Sequence, residues 1–264
     1  MQLIHLPLEI LINITEFLST KDILSLSICS KHFHNILSVV KFNENVKFKD
    51  ISKLPYFDSF TNVEYYKSGK LFPRSLRILF WWNNDHLPSQ LPDSLKSLYL
   101  GNDYNQPLLQ LPNSLKSLYL GWYYDQPLPQ LPNSLKSLYL GWNYDQPLPQ
   151  LPHSLKSFCL GYSYDQALPQ LPNSLKSLYL GSHYDQPLPQ LPNSLKRLYL
   201  SFYFNQPLLQ LPNSLKSLYL GYYYDQPLPQ LPDSLRLLKV WRKFLLPALS
   251  FDITIEFFDG YVNT

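Results

Sequence analysis

The feature that most constrains this chain is a repeat of 20 residues that begins at Leu91. One copy, residues 131–150, reads Leu-Pro-Asn-Ser-Leu-Lys-Ser-Leu-Tyr-Leu-Gly-Trp-Asn-Tyr-Asp-Gln-Pro-Leu-Pro-Gln. Further copies begin at Leu91, Leu111, Leu151, Leu171, Leu191 and Leu211; an eighth, from Leu231, decays after Lys239, and residues 72–79 hold a degenerate copy. Periods of this length are typical of solenoids, in which each unit buries its apolar face only by stacking on its neighbours.

The composition of the repeat argues against helices. Each regular copy contains two or three prolines, and a proline inside a helix costs about 3 kcal/mol. The segment from Ser137 to Leu140 instead predicts a short strand, with Leu138 and Leu140 on one face and Ser137 and Tyr139 on the other. Residues 145–152 are expected to return in an extended, polyproline-like path. Successive strands then stack in parallel at about 4.8 Å.

The interior of such a coil follows from the repeat. Three rows of side chains are expected inside: Leu95, Leu115, Leu135, Leu155, Leu175, Leu195 and Leu215; Leu98, Leu118, Leu138, Phe158, Leu178, Leu198 and Leu218; and Leu100, Leu120, Leu140, Leu160, Leu180, Leu200 and Leu220. The position of Tyr144 accepts phenylalanine at Phe204, which indicates that this row is buried against the return path as well.

The order Leu-x-x-Leu-x-Leu matches the leucine-rich-repeat template at its shortest period. The segment Phe204-Asn205-Gln206-Pro207-Leu208 and its counterparts resemble the FNIP repeat, a leucine-rich-like repeat of social amoebae and giant DNA viruses. The resemblance covers residues 71–240. The stretch Leu-Pro-x-Leu-Pro-x-Ser-Leu is also similar to the 20-residue repeats of secreted bacterial effectors, which keep an asparagine where this chain varies.

Residues 1–40 hold no repeat and, after Pro7, no proline. Pro7 suits a helix start, and apolar residues on nearly every face of residues 8–18 predict a helix that needs a partner as well as a core. Ser19 or Thr20 and then Ser30 are suitable caps for two more helices. About forty residues cannot bury this much apolar surface alone, so the segment is predicted to be a three-helix docking module.

The residues Leu6-Pro7-Leu8-Glu9-Ile10-Leu11, followed by Lys21-Asp22-Ile23-Leu24-Ser25-Leu26, resemble an F-box that covers about residues 3–40. The resemblance implies docking onto the Skp-type adaptor of a cullin–RING ubiquitin ligase. It further implies that the adaptor contacts come from Leu6, Pro7, Ile10, Leu11, Ile14, Leu18 and Leu24. The expected fold class is therefore mixed: a small all-α F-box module followed by a parallel-β, leucine-rich-repeat-like solenoid with 20-residue coils.

The ends of a solenoid must be covered. Residues 41–70 are predicted to be a linker and N-terminal cap, since residues 46–51 and 62–66 alternate like strands. Residues 71–240 form the repeats, and residues 241–264 are predicted to be a C-terminal cap, with an alternating stretch at 251–257.

Enzymatic signals are weak. Cys29 with His32 or His34 has the composition of a metal site, but ordinary core spacing on a predicted helix is the better interpretation. The recurring Ser-Leu-Lys is expected to be structural, because a catalytic pair needs one unique environment. A mixed Asp/Asn row is expected to bond turn N–H groups rather than calcium: Asn105, Asp125, Asp145, Asp165, Asp185, Asn205 and Asp225. The basic row from Lys96 to Lys216, continued by Arg236, is expected to be a solvated edge that offsets the negative charge. No enzyme activity and no cofactor are expected.

The outward positions are the functional candidates. The first set is the tyrosine row of the strands, interpreted with even weight as cross-strand stacking or as a contact surface: Tyr99, Tyr119, Tyr139, Tyr179, Tyr199 and Tyr219, with Cys159 in the same row. The second set occupies the two positions after glycine, where the copies differ: Trp122, Tyr123, Trp142, Phe202, Tyr203, Tyr222 and Tyr223. Large aromatic residues at variable positions indicate a rim that selects a partner. The alternative is sequence drift at loop positions without a function.

These interpretations favour a substrate-receptor subunit of a cullin–RING ligase, whose partners are a Skp-type adaptor and an unknown target protein. The alternatives are a stand-alone protein-binding solenoid and, less favoured, an enzyme on a parallel β-coil. A net charge of +3 argues against nucleic acid as a partner. No apolar run approaches 18 residues and no secretory signal is apparent, so no membrane association is expected. Two cysteines without a disulfide framework favour the cytoplasm, that of the host if the protein is viral.

Overall fold

The computed structural model describes residues 42–53, 57–65, 72–82, 84–241 and 253–258. They form one twelve-stranded sheet in which every strand is parallel to its neighbours and the strand order follows the sequence. The strands are β1 (Phe42–Lys47), β2 (Phe60–Tyr65), β3 (Ile78–Trp81), β4 (Ser97–Leu100), β5 (Ser117–Tyr119), β6 (Ser137–Tyr139), β7 (Ser157–Cys159), β8 (Ser177–Tyr179), β9 (Arg197–Tyr199), β10 (Ser217–Tyr219), β11 (Leu237–Trp241) and β12 (Thr254–Phe258). The predicted parallel-β solenoid is confirmed.

The pairing register is set by the repeat. From β4 to β11 each residue faces its counterpart one repeat later, as in Leu118 with Leu138. The coils at the two ends have other lengths, since Val63 faces Leu79 and Leu238 faces Ile255. Equivalent side chains therefore stack directly above one another through the regular part, which produces the rows that the sequence predicts.

The interior rows are buried as predicted. The rows of Leu135 and Leu138 are fully buried, and the row of Leu140 is at most 9% exposed. Phe158, the one aromatic residue in its row, is also fully buried. The row of Tyr144, including Phe204, closes the core on the side of the return segments.

Two tight turns shape each coil. In the first, the Leu135 N–H donates to the Pro132 carbonyl at 3.0 Å, across Asn-Ser, a pair that favours turns. In the second, the Tyr144 N–H donates to the Gly141 carbonyl at 3.2 Å. The proline-rich segment between coils has no regular secondary structure, as expected of residues that cannot donate to a sheet.

Glycine after the strand is required by the close approach of consecutive coils. A Cβ built on Gly141 would lie 1.9 Å from the Gly121 carbonyl oxygen, well inside contact distance. Ser201 stands where the other copies have glycine, and it is buried with its Oγ donating to the Tyr184 carbonyl at 2.7 Å. The turn that follows is looser there, with 3.4 Å between the Phe204 nitrogen and the Ser201 oxygen.

The first coils correct one prediction. Residues 46–51 were expected to form a strand, but β1 ends at Lys47 and a short helix, α1 (Phe48–Ile51), follows. The helical turn places Phe48 and Ile51 on one side, where Phe48 stacks on Tyr65 at 4.5 Å between ring centroids and Ile51 is buried. Alternation over so few residues also fits an i, i+3 pattern, so it cannot decide between the two structures.

The strands expected within 62–66 and 251–257 correspond to β2 and β12, which extend the sheet at its two ends. Among the described residues the only helical segments are α1 and a 3₁₀ turn at Phe57–Ser59. The predicted three-helix module at 1–40 lies outside the described residues. No helix among those described is long and apolar enough to cross a membrane.

Candidate protein-binding surface

The tyrosine row forms a stacked ladder on the outward face of the sheet. The ring centroids of Tyr99 and Tyr119 are 4.2 Å apart, and those of Tyr119 and Tyr139 are 4.5 Å apart, with nearly parallel planes. Beyond Cys159 the ladder resumes, with 4.2 Å from Tyr179 to Tyr199 and 3.9 Å from Tyr199 to Tyr219. All six rings are half-buried. The predicted cross-strand stacking is confirmed, and it occurs on a face that solvent still reaches. The contact surface stays a prediction.

The ladder has one rung that the sequence analysis missed and one gap. Phe80 in β3 stacks on Tyr99 at 4.7 Å and so extends the ladder into the degenerate coil. At the gap, Cys159 lies in register between Tyr139 and Tyr179. Burial raises the pKa of the Cys159 thiol, which keeps it neutral at physiological pH.

The positions after glycine form a second aromatic strip, here called the rim. Trp122 stacks on Trp142 at 4.5 Å, and Trp142 stacks on Tyr162 at 4.0 Å. His183 then links Tyr162 to Tyr203, at 4.5 and 5.1 Å. The rim ends in a cluster around Trp241 that contains Phe202, Tyr203, Tyr222 and Tyr223.

The geometry of the turn explains why the rim positions differ between copies. They are the two central residues of the second turn, which is closed and joined to the preceding coil by backbone hydrogen bonds, as in the donation from the Asn143 N–H to the Trp122 carbonyl at 2.9 Å. His183 adds a side-chain contact, with its Nδ1 3.2 Å from the Tyr162 carbonyl oxygen. Their side chains are thus not needed to close the coil. Tyr123 is 52% exposed and Trp122 44% exposed, large fractions for aromatic residues within an ordered strip. An exposed aromatic strip is a typical protein-contact surface.

The Asp/Asn row has the structural role that was predicted. The Asp145 N–H donates to Asp125 Oδ1 at 2.9 Å, and the Asp165 N–H donates to Asp145 Oδ1 at the same distance. Asparagine does the same at Asn105, which accepts from the Asp125 N–H at 2.9 Å. From Asn105 to Asn205 each side chain therefore satisfies a backbone donor of the next coil, which explains why both residue types occur in this row.

Serine and lysine of the Ser-Leu-Lys segment differ in role. The Ser154 Oγ donates to the Leu135 carbonyl of the preceding coil at 2.6 Å, and this bond recurs along the repeat. The lysines from Lys116 to Lys216 are exposed and make no ion pair with the Asp row among the described residues, where the ion pairs are Arg74–Asp58 and Lys239–Glu256. The lysine row is a solvated edge, as predicted, but it does not pair with the acidic row.

The buried tyrosine row carries polar atoms that the fold does not satisfy. The hydroxyl of Tyr144 is buried and makes no hydrogen bond of normal geometry. Burial raises its pKa above the ordinary range for tyrosine, and the nearby backbone of Leu128 offsets this only in part. The same cause raises the pKa of Tyr224 to about 12. These rings are core, not candidates for chemistry.

The described residues contain no group of three or more His, Cys, Asp or Glu side chains that could hold a metal ion. Cys29, His32 and His34 lie outside the described residues, as do the seven predicted adaptor contacts. The predicted surface residues fall into two neighbouring strips, the ladder and the rim, to which the structure adds Phe80, Tyr162, His183 and Trp241. Tyr162 and His183 were recognisable from their place after glycine, whereas Phe80 belongs to a copy with a shortened period.

A parallel sheet of stacked short coils with leucine rows inside and an open aromatic face defines a leucine-rich-repeat-like solenoid. Family models for the FNIP repeat match residues 82–123, 104–130, 124–163, 164–203 and 204–240, and a model for the F-box domain matches residues 3–45. The chain belongs to the FNIP-repeat family. No curated protein matches the chain significantly.

Two solved structures match this chain. CroV588, described as a novel circular LRR protein, superposes with a TM-score of 0.71 at 33% identity, over 84% of this chain. This chain spans 36% of that protein. YopM from Yersinia enterocolitica WA-314 is 23% identical over 75% of this chain and 53% of its own, with a TM-score of 0.47, too low to support an argument.

Proposed function

We propose that this protein is a substrate-receptor subunit of a cullin–RING ubiquitin ligase. The F-box, matched at residues 3–45, would dock the Skp-type adaptor, and the solenoid would hold a target protein near the ubiquitin-loaded enzyme. The observation that carries the proposal is the F-box match directly before an ordered solenoid whose outward face exposes aromatic side chains. Such a subunit accelerates the reaction through proximity alone and has no bond chemistry of its own. We propose that the protein acts in the cytoplasm.

The adaptor contacts carried over from the F-box resemblance are the place to test this proposal. We expect the full chain to co-purify with a Skp-type adaptor. The variant Leu6→Asp/Pro7→Ala/Leu11→Asp should not do so, because burying a charge in an apolar contact is costly. A matched control, Trp122→Ala/Trp142→Ala, changes only the rim and should keep adaptor binding.

Adaptor binding at full strength by the triple variant would overturn the proposal. So would a wild-type chain that binds no adaptor, in which case the protein is a stand-alone protein-binding solenoid. A rim variant that keeps the adaptor but loses ubiquitylated targets from cells would support both halves of the proposed function.

A further inference from the structure

The gap in the tyrosine ladder has the dimensions of one aromatic ring. Tyr139 and Tyr179 flank the strand of Cys159 in register, and no ring contact joins them among the described residues. Two strand spacings separate these rungs by roughly 9 Å. A planar ring midway between them would lie about 4.5 Å from each, within the range of favourable aromatic pairs and close to the 4.2 to 4.5 Å of the intact rungs.

The walls and the floor of this gap suit an apolar ring. The walls are the faces of two tyrosines whose backbones are fixed by the sheet. The floor is a half-buried thiol, with its Sγ 3.7 Å from the Leu160 carbonyl oxygen, and a neutral thiol behaves as a small apolar group. Because walls and floor are already in place, little conformational entropy is lost when a ring enters.

The charge along the amino-terminal ends of β4–β10 has one sign. The exposed lysines from Lys116 to Lys216 border the amino-terminal ends of the strands and make no ion pair among the described residues. Arg197 is the only charged residue in β4–β10, and its guanidinium donates to Ser177 Oγ at 3.3 Å, one strand from the gap. The carboxylates of the Asp row bond backbone N–H groups of the return side. A partner on this face therefore meets positive charge.

We propose that the outward face of β4–β10 binds an extended acidic segment of a target protein, which inserts one aromatic side chain between Tyr139 and Tyr179. Its carboxylates lie along the lysine row and Arg197. This proposal deepens the proposed function and rests on it, since it specifies the class of target segment. A nucleic acid fits less well, because it carries a base at every nucleotide, whereas the ladder has space for one ring only. The other tyrosines from Tyr99 to Tyr219 stack directly on each other, with ring centroids 3.9 to 4.5 Å apart.

The test measures binding of three probes to the full chain: polyglutamate, a glutamate–tyrosine copolymer and oligothymidylate. For the wild type we expect the copolymer to bind about tenfold more tightly than polyglutamate, because an inserted ring gains two stacking contacts. Cys159→Tyr fills the gap with the residue of the other coils, so it should fold normally and remove this preference. Cys159→Ser is the matched control that keeps the gap and should keep the preference.

A second variant isolates the charge. Lys136→Gln/Lys156→Gln/Lys176→Gln should weaken both acidic polymers by a similar factor of about ten and reduce the salt dependence of binding. Equal binding of the two polymers to the wild type, an unchanged preference in Cys159→Tyr, or tighter binding of oligothymidylate would each overturn the proposal. Adaptor binding is measured on the same variants; its retention shows that failure concerns the ladder and not the ligase role.

Discussion

The Asp/Asn row makes a quantitative prediction about how consecutive coils are held together. In Asp145→Ala the Asp165 N–H loses its acceptor, now 2.9 Å away at Oδ1, and the Gln166 side chain loses the 3.2 Å bond to Oδ2. A partly buried N–H left unpaired and a lost bond to a charged group cost about 3 kcal/mol together. Removing the charge also relieves repulsion by Asp125 and Asp165, which returns about 1 kcal/mol after screening. The net expected loss is about 2 kcal/mol.

Asp145→Asn is the matched control. It keeps an acceptor oxygen, and the chain already uses Asn105 and Asn205 to accept from the Asp125 and Asp225 N–H groups at 2.9 and 3.1 Å. The variant also relieves the same repulsion, so we expect a stability equal to the wild type or up to about 1 kcal/mol higher, with the gain shrinking in high salt.

Urea denaturation followed by circular dichroism, with an unchanged m-value, measures both differences. Amide exchange at Asp165 reports the bond itself, and only Asp145→Ala should accelerate it. If Asp145→Asn is as destabilised as Asp145→Ala, the charge rather than the acceptor holds the coils, and the reasoning above is wrong.

Three more predictions concern the repeat. Gly141→Ala should lower the free energy of unfolding, measured in urea, by about 3 kcal/mol or more, because the new Cβ would overlap the Gly121 carbonyl oxygen. The control Ser201→Ala, at a position that already accommodates a Cβ, should lower it by only about 1 kcal/mol through the lost hydrogen bond. Tyr144→Phe should leave stability unchanged or slightly higher, because it removes a buried hydroxyl that makes no hydrogen bond of normal geometry, and phenylalanine already occupies this position at Phe204. A large loss would show that the contact with the Leu128 backbone is a stabilising hydrogen bond. The free energy of unfolding should also fall as pH rises above about 10. The tyrosines of the unfolded chain then lose their protons, whereas the buried tyrosines, whose pKa values are raised, keep theirs. The absorbance of ionised tyrosine at high pH should therefore detect the buried tyrosines only when the protein unfolds.

Much of the solenoid could be predicted because a repeat converts one local pattern into a whole architecture. Alternation at Leu138 and Tyr139 identifies inside and outside, and stacking propagates the assignment to every coil. Burial of the Tyr144 row followed from the single substitution at Phe204. The bond made by Asp145 followed from the preference of aspartate for turn N–H groups.

Features that depend on the distance between coils could not be predicted in the same way. The need for glycine at Gly141 appears only when the preceding carbonyl is found 1.9 Å from a Cβ. The rim contacts of Tyr162 with Trp142 and His183 depend on how neighbouring turns place their side chains. The helical turn at Phe48 belongs to an end coil, where the repeat supplies no second copy to confirm the pattern.

The coil separates residues that fold the protein from residues that are free to bind. The inter-coil bonds that recur along the repeat use backbone atoms or the side chains of the Ser154 and Asp145 rows, and the core uses the leucines and Tyr144. The ladder and the rim contribute to neither, so changes there cost little beyond ring stacking, about 0.5–1.5 kcal/mol a pair. In the coil of residues 151–170 the inner position is Phe158, fully buried, and the outer one is Cys159. The core there remains filled while the outer face loses a ring, so a recognition feature can arise in one coil without weakening the stack that presents it.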